Sequence, residues 1–262
     1  MHKRGKVLTL ALLGTLLLAG GCVGGPGLTL DTAGDGGGPL PTVEAGVTTK
    51  AAPKFNPFGN TSSADGGREV IQNPSLEEIL KPGPLPEMAL GRADAPVTVV
   101  QYASMTCPIC KRFLAETFPT FKREYIDTGK VRFILRAEFP IGRQSGLATI
   151  ALRCAPPARY FALYEKFMQQ QASWVSQEVR PDPIFKVAAQ VGLTRAQFDT
   201  CRENQGMIAA INGIKDRGRT LGVIGTPNFF VDGKLVKSFI SVAEMRTLLD
   251  QALAKRSATA SR

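Results

Sequence analysis

The sequence predicts an α/β fold with an all-helical module set into it. Three stretches carry that expectation. Val97 to Tyr102 is β-branched and aromatic, and it leads through a polar turn into Cys107-Pro108-Ile109-Cys110. Beyond the cysteines Phe113, Leu114, Thr117 and Phe118 recur at helical spacing, and Val131 to Arg136 then reads as a second strand. Strand, helix and strand make a β-α-β unit, which implies parallel pairing and a right-handed crossover. From 141 to 221 the pattern is helical almost throughout, before strands resume near Gly225.

The first 21 residues read as a signal peptide. Lys3, Arg4 and Lys6 precede an apolar run, Val7 to Ala19, that is shorter than the roughly 20 residues a spanning helix needs. The run ends in Leu18-Ala19-Gly20-Gly21-Cys22, small residues before a cysteine, which resembles a bacterial lipoprotein signal cleaved before Cys22 and acylated there. Ala19 stands where such signals usually carry leucine. Ordinary cleavage nearby and a retained N-terminal anchor are the alternatives. Residues 22–67 are rich in Gly, Pro, Ser and Thr and poor in large apolar side chains, so they read as a disordered tether with a reach of roughly 35 Å.

The folded part begins near residue 68. Asn73 to Leu80 reads as a short capped helix, Pro82, Pro84 and Pro86 interrupt regular structure, and Met88 to Leu90 reads as a short strand. After the strand, Cys-x-x-C helix and strand come helices over Gly146 to Cys154, Ala158 to Trp174, Pro183 to Val191, Arg195 to Glu203 and Met207 to Arg219. Phe229 to Val231 is a strand, Asp232-Gly233 a hairpin turn, and Val242 to Ala254 a closing helix, with 257–262 a frayed tail. The expected division is one domain over 68–140 and 222–256, with a helical insertion over 141–221.

The net charge of +10 is scattered. No aromatic-interleaved basic run accompanies it, so a solvated basic surface explains it and nucleic-acid binding is not expected.

Five cysteines carry the chemistry. Cys107 falls at a helix start, with Pro108 in the first turn, where a missing N–H is tolerated. Unpaired helix-start amides and the helix dipole favour the thiolate, the nucleophile in disulfide exchange. Cys110 lies one turn on and can close the ring that expels a bound substrate. Half of a zinc site is the bland alternative. It would need further Cys or His ligands, but no second C-x-x-C is present and the one histidine is His2. If acylation consumes Cys22, the four remaining cysteines pair as Cys107–Cys110 and Cys154–Cys201, as suits an exported chain. The second pair belongs to no C-x-x-C and reads as a structural staple.

The order of strand, C-x-x-C helix, strand, helical insertion, Thr226-Pro227-Asn228-Phe229-Phe230 hairpin and helix resembles the DsbA-like branch of the thioredoxin fold, over about residues 85–254. Arg153-Cys154-Ala155 with Cys201 looks like the second, non-catalytic disulfide of some bacterial members. The resemblance implies that Pro227 is cis and faces the active disulfide, and that the Thr226 backbone pairs with substrate as an added strand. It also implies a redox-active Cys107–Cys110 couple without a cofactor. Three features lean towards a moderate potential. Ile109 replaces the histidine that strong oxidants carry between the cysteines. Gln101 stands where members often have a buried acid. Thr226 before the proline is more usual in isomerase and reductase members.

The function expected is an extracytoplasmic thiol–disulfide oxidoreductase on the periplasmic side of a bacterial membrane, lipid-anchored or soluble. Oxidation of client thiols is favoured over isomerisation or reduction. Its partners are exported proteins with cysteines and a membrane redox partner. Nothing resembles a dimerisation domain, which favours a monomer. Met105, Ile109 and Ile224 are candidates for an apolar client surface, with a place in the core as the equal alternative. The competing readings are a Cu(I) module of two thiolates with a Met105 thioether, and a redox-dead peptide-binding scaffold. A Cys/His hydrolase is excluded because the mature chain has no histidine to act as base.

Overall fold

The computed structural model describes residues 70–260, so the expected signal peptide, Cys22 and the tether lie outside the described residues. The elements are α1 (Leu76–Leu80), β1 (Ala89–Leu90), β2 (Val97–Tyr102), α2 (Pro108–Glu116), α3 (Phe118–Phe121), β3 (Val131–Arg136), α4 (Gly142–Cys154), α5 (Tyr160–Gln169), α6 (Gln171–Trp174), α7 (Pro181–Ala188), α8 (Arg195–Arg202), α9 (Gln205–Thr220), β4 (Asn228–Val231), β5 (Lys234–Lys237) and α10 (Val242–Ala260). A π-helical turn over Lys122–Ile126 follows α3. The fold is thioredoxin-like, an α/β sheet with helices inserted between β3 and β4.

The sheet runs β1-β3-β2-β4-β5. β2 and β3 are parallel, as the β-α-β connection requires, and the other pairs are antiparallel. The alternation of side chains along each strand splits the core in two. Val97, Val99 and Phe229 join Cys110, Phe113 and the buried faces of α5 and α10. Val100, Tyr102 and Phe230 join Ile79, Phe139, Leu221 and Val223 on the other side. Asp232 (φ 47°) and Gly233 (φ 91°) both take positive φ, the geometry that matches the twist of a two-residue hairpin.

The structure departs from the sequence reading in four places. α4 starts at Gly142, a turn earlier than Gly146, and residues 144–152 are all buried. Its polar residues Gln144, Ser145 and Thr149 make specific bonds inside the protein, so the helix carries no surface face that periodicity could detect. The active-site helix, whose spacing ran on through Phe118, breaks at Thr117, where the hydroxyl donates to the Ile240 carbonyl at 2.7 Å and α3 restarts. The C-terminal half of α9 packs on the sheet rather than only within the helical module. A Cβ on Gly218 would meet Tyr102 Cε1 at 2.7 Å, so only glycine permits that approach. Finally, residues 257–260 are helix, not a frayed tail. Ser257 and Thr259 donate back to the Leu253 and Lys255 carbonyls, and Arg256 pairs with Asp232.

Candidate active site

β2 delivers the chain to a loop, residues 103–107, that is fixed from several sides. The Ala103 N–H donates to the Arg136 carbonyl at 3.0 Å, continuing the β2–β3 ladder past the strand ends. Ser145 of α4 bonds the Ser104 hydroxyl at 2.8 Å and accepts from the Met105 N–H at 3.1 Å. Gln171, at the start of α6, donates to the Met105 and Cys107 carbonyls at 3.0 and 3.1 Å. The inserted helices therefore hold the loop from which α2 departs. Cys107 is the N-cap of α2, Pro108 is its first residue, and the Cys107 sulfur accepts the Cys110 N–H at 3.2 Å.

This cap sets the electrostatics. The Cys110 side chain, the Thr226 hydroxyl and the amides of Cys110 and Ile109 stabilise the Cys107 thiolate more than burial penalises it, and the Cys107 pKa falls to about 6. Burial pushes the Cys110 thiol well above its ordinary value, and the neighbouring Cys107 sulfur adds to the rise. One sulfur is ionised at neutral pH while the other keeps its proton. Both cysteines are free, the reduced member of a couple whose oxidised member is the Cys107–Cys110 disulfide.

The Thr226–Pro227 peptide bond is cis, and protonated Cys107 donates to the Thr226 carbonyl at 3.3 Å. Cys107, Cys110 and Thr226 thus converge from 119 residues apart in sequence, with Pro227 directly behind. Cys154 and Cys201 form a disulfide between the end of α4 and the last turn of α8. They belong to the helical module, not to this site.

Met105 does not lie on the surface. It is fully buried, and only its backbone serves the site. The exposed apolar side chains nearest in sequence to the site residues are instead Ile109, between the two cysteines, and Ile224, two residues before Thr226 and 80% exposed. Thr106, Ile141, Val175 and Val179 line an open groove of about 740 Å³ that also carries Arg143 and Glu178. Sequence reasoning missed Ser145, Gln171 and the 175–179 wall. Ser145 and Gln171 bond loop atoms 40 or more residues away, and the wall meets Ile141 and Thr106 more than 30 away, so no local pattern announces them. Gln101, where the resemblance implies a buried acid, is itself buried. Among the described residues no cluster of three or more Cys, His, Asp or Glu side chains could hold a metal ion.

With this geometry in place, three comparisons give it a lineage. A family model described as Thioredoxin matches residues 85–251. A Rickettsia bellii protein, provisionally named a protein-disulfide oxidoreductase, is 30% identical over 172 residues, 64% of this chain and 64% of its own length. Disulfide bond formation protein D of Bacillus subtilis is 26% identical over 200 residues, 74% of this chain and 86% of its own. Among solved structures, α-DsbA1 of Wolbachia pipientis superposes with a TM-score of 0.64 at 26% identity, covering 70% of this chain and 98% of that one. The chain belongs to the thioredoxin family, and within it is similar to DsbA-like protein-disulfide oxidoreductases.

Proposed function

We propose that the chain is an extracytoplasmic disulfide donor whose catalytic residues are Cys107 and Cys110. The observation that carries the reading is the opposite placement of two sulfurs three residues apart: Cys107 caps a helix start and its sulfur accepts the Cys110 N–H at 3.2 Å, which favours its thiolate, while Cys110 is fully buried, which favours its thiol. A client thiolate attacks the Cys107 sulfur of the oxidised couple. The Cys107–Cys110 bond breaks, its electron pair leaves on Cys110, and Cys110 takes up a proton. A second client thiolate attacks the mixed disulfide, the client disulfide forms, and Cys107 leaves as a stabilised thiolate. Loss of the Cys107 proton frees the Thr226 carbonyl to accept a client backbone N–H, with Pro227 fixing its direction. The rim of Ile109, Ile141, Val175, Val179 and Ile224 offers apolar surface to an unfolded client.

A Cys107 pKa of about 6 lies between those of thioredoxin, about 7, and DsbA, about 3.5. The thiolate stabilises the reduced form, so the expected potential lies between their values, about −270 and −120 mV, nearer the former. The Cys154–Cys201 disulfide supports an oxidising compartment, in keeping with export. Cys22 acylation would hold the protein at a membrane face, where a membrane redox partner reoxidises the couple. Among the described residues no helix is long and apolar enough to cross a membrane.

The test is equilibration of the chain in glutathione buffers, followed through Trp174, the one tryptophan. A two-electron transition between the two reference potentials is expected. A Cys110→Ser variant should accumulate mixed disulfides with exported proteins. Absence of a transition that depends on both Cys107 and Cys110 would overturn the reading and send the pair to metal analysis.

A further inference from the structure

Beside the β1–β3 edge of the sheet, residues 81–88 roof a cavity of about 230 Å³ that opens to solvent. None of the residues that line it belongs to the 103–107 loop, to Cys110 or to the Thr226–Pro227 turn. Pro82, Pro84 and Pro86 fix the backbone of the roof and remove three N–H donors, so it neither coils nor pairs as a strand. Gly83 presses on α9, where a Cβ would stand 3.3 Å from Ile214 Cγ1. The cavity is therefore held between two fixed walls before anything enters it.

Its lining is unevenly charged. Lys81, Arg136, Arg153 and Arg217 stand with Glu87 and Glu138, four cations to two carboxylates. Arg136 is 7% exposed and Glu138 is fully buried. Most of the strong groups are matched. Arg136 donates to Glu87 and to the Tyr102 hydroxyl at 2.8 Å each. Arg153 donates to Glu138 Oε1 and to the Pro86 carbonyl, and Arg217 Nη2 to the Glu78 carbonyl at 2.9 Å. Two buried atoms are left over: Arg217 Nε, a charged donor, and Glu138 Oε2, a charged acceptor. Buried charged groups without partners are costly, and native folds keep few of them.

These two atoms select a ligand. A donor and an acceptor of opposite charge in one cavity suit a molecule that carries both a carboxylate and a cationic amine. Guanidinium groups bind carboxylates through paired N–H donors. An inorganic anion would meet the Arg217 end but would be repelled by the two carboxylates. Size narrows the class further. A water takes up about 30 Å³, so one bridging water leaves most of the space empty, while drug-sized ligands need about 300–1,000 Å³. Leu85, Met88 and Ile214 make the remaining walls apolar.

We propose that this cavity binds a small apolar α-amino acid in its zwitterionic form. The carboxylate pairs with Arg217 and Lys81, the ammonium donates to Glu138 Oε2, and the side chain lies against Leu85 and Ile214. The site stands apart from the redox reading and does not depend on it.

The experiment is calorimetric titration of the full chain with L-leucine at low salt and neutral pH. It is repeated with isocaproate, which lacks the amine, with leucinamide, which lacks the carboxylate, and with inorganic phosphate. Leucine should bind saturably at one site, and each of the other three at least about tenfold more weakly, the loss expected for one charge-assisted bond. Arg217→Gln should weaken leucine binding about tenfold, while the rate of reaction with glutathione disulfide stays at its wild-type value. Lys81 is exposed, so Lys81→Glu serves if Arg217→Gln folds poorly. Absence of saturable leucine binding would overturn the proposal, and so would binding unchanged in both variants. Any of the three other probes binding as tightly as leucine would overturn the zwitterionic ligand. A failed redox transition at Cys107 and Cys110 would leave this result untouched, so the two readings fail separately.

Discussion

The two cysteine pairs sit at opposite ends of their helices. Cys107 caps the start of α2, among unpaired amides. Cys154 is the last residue of α4, and Cys201 lies in the last turn of α8. Helix starts favour negative charge and helix ends disfavour it. The first pair is therefore asymmetric, with one sulfur ready to ionise and the other shielded. The second has no sulfur favoured as a leaving group. Exchange chemistry depends on that asymmetry, and a disulfide without it behaves as a cross-link.

The comparison breaks most visibly at Cys107. Cys107→Ser should abolish reduction of a model disulfide, with a loss of at least about a thousandfold, because the variant lacks the attacking sulfur. Cys154→Ala with Cys201→Ala should leave the exchange rate within about twofold. The double variant should instead unfold more easily. Cross-linking residues 47 apart contributes up to about 4 kcal/mol in the chain-entropy model, which denaturant titration of the oxidised proteins would read. Equal losses of exchange in both variants would mean that the second pair is also redox-active.

The α2 side of the comparison was legible in the sequence because its signals are local. A β-branched run, a C-x-x-C, a proline in the first turn and helical spacing all fall within about 20 residues. What holds the loop in place was not legible. Gln171 bonds Cys107 from 64 residues away, and Ser145 bonds Met105 from 40 away. Met105 was left open between a client surface and the core because an apolar residue beside a cysteine looks the same in sequence whichever it faces. Gly218 gives no local sign that Tyr102 lies against it. The helical module as a region was readable from periodicity. The wrapping of α4 and the sheet-facing half of α9 depend on contacts made only after folding.

Titration sharpens the asymmetry. Absorbance of the thiolate should follow a midpoint of about 6 for Cys107, with Cys110 silent through pH 9. The Cys107 pKa is depressed by folding, so its contribution stabilises the reduced protein fully above the unfolded thiol's range and is lost as pH falls through about 6. The couple takes up two protons on reduction below that midpoint and one above it. Its potential should fall by about 59 mV per pH unit at low pH and about 30 mV above. A single steep slope to pH 8 would mean that Cys107 is not ionised at neutral pH.

Gln171→Leu tests the clamp. It removes two hydrogen bonds to the loop carbonyls and leaves those acceptors to find other partners, at a cost of about 1–3 kcal/mol. Because the clamp acts on the loop before α2, the cost should appear as lower stability with a shifted Cys107 midpoint. A stability loss with the midpoint unmoved would make Gln171 a packing residue only.

The smallest effect is expected at Ile109, between the two sulfurs. Its N–H already contributes to holding the Cys107 thiolate, while its apolar side chain is partly exposed and adds no donor. Ile109→His would put a donor, and at lower pH a positive charge, beside the sulfur. Each tenfold gain in thiolate preference raises the potential of this two-electron couple by about 30 mV. A shift of that size, with the Cys107 midpoint lower by about one unit, should be read in the same glutathione buffers, and the Cys154–Cys201 pair should not respond. If potential and midpoint both stay where they are, the helix-start amides and Cys110 already saturate the sulfur, and the residues between the cysteines are tuned for the client surface instead.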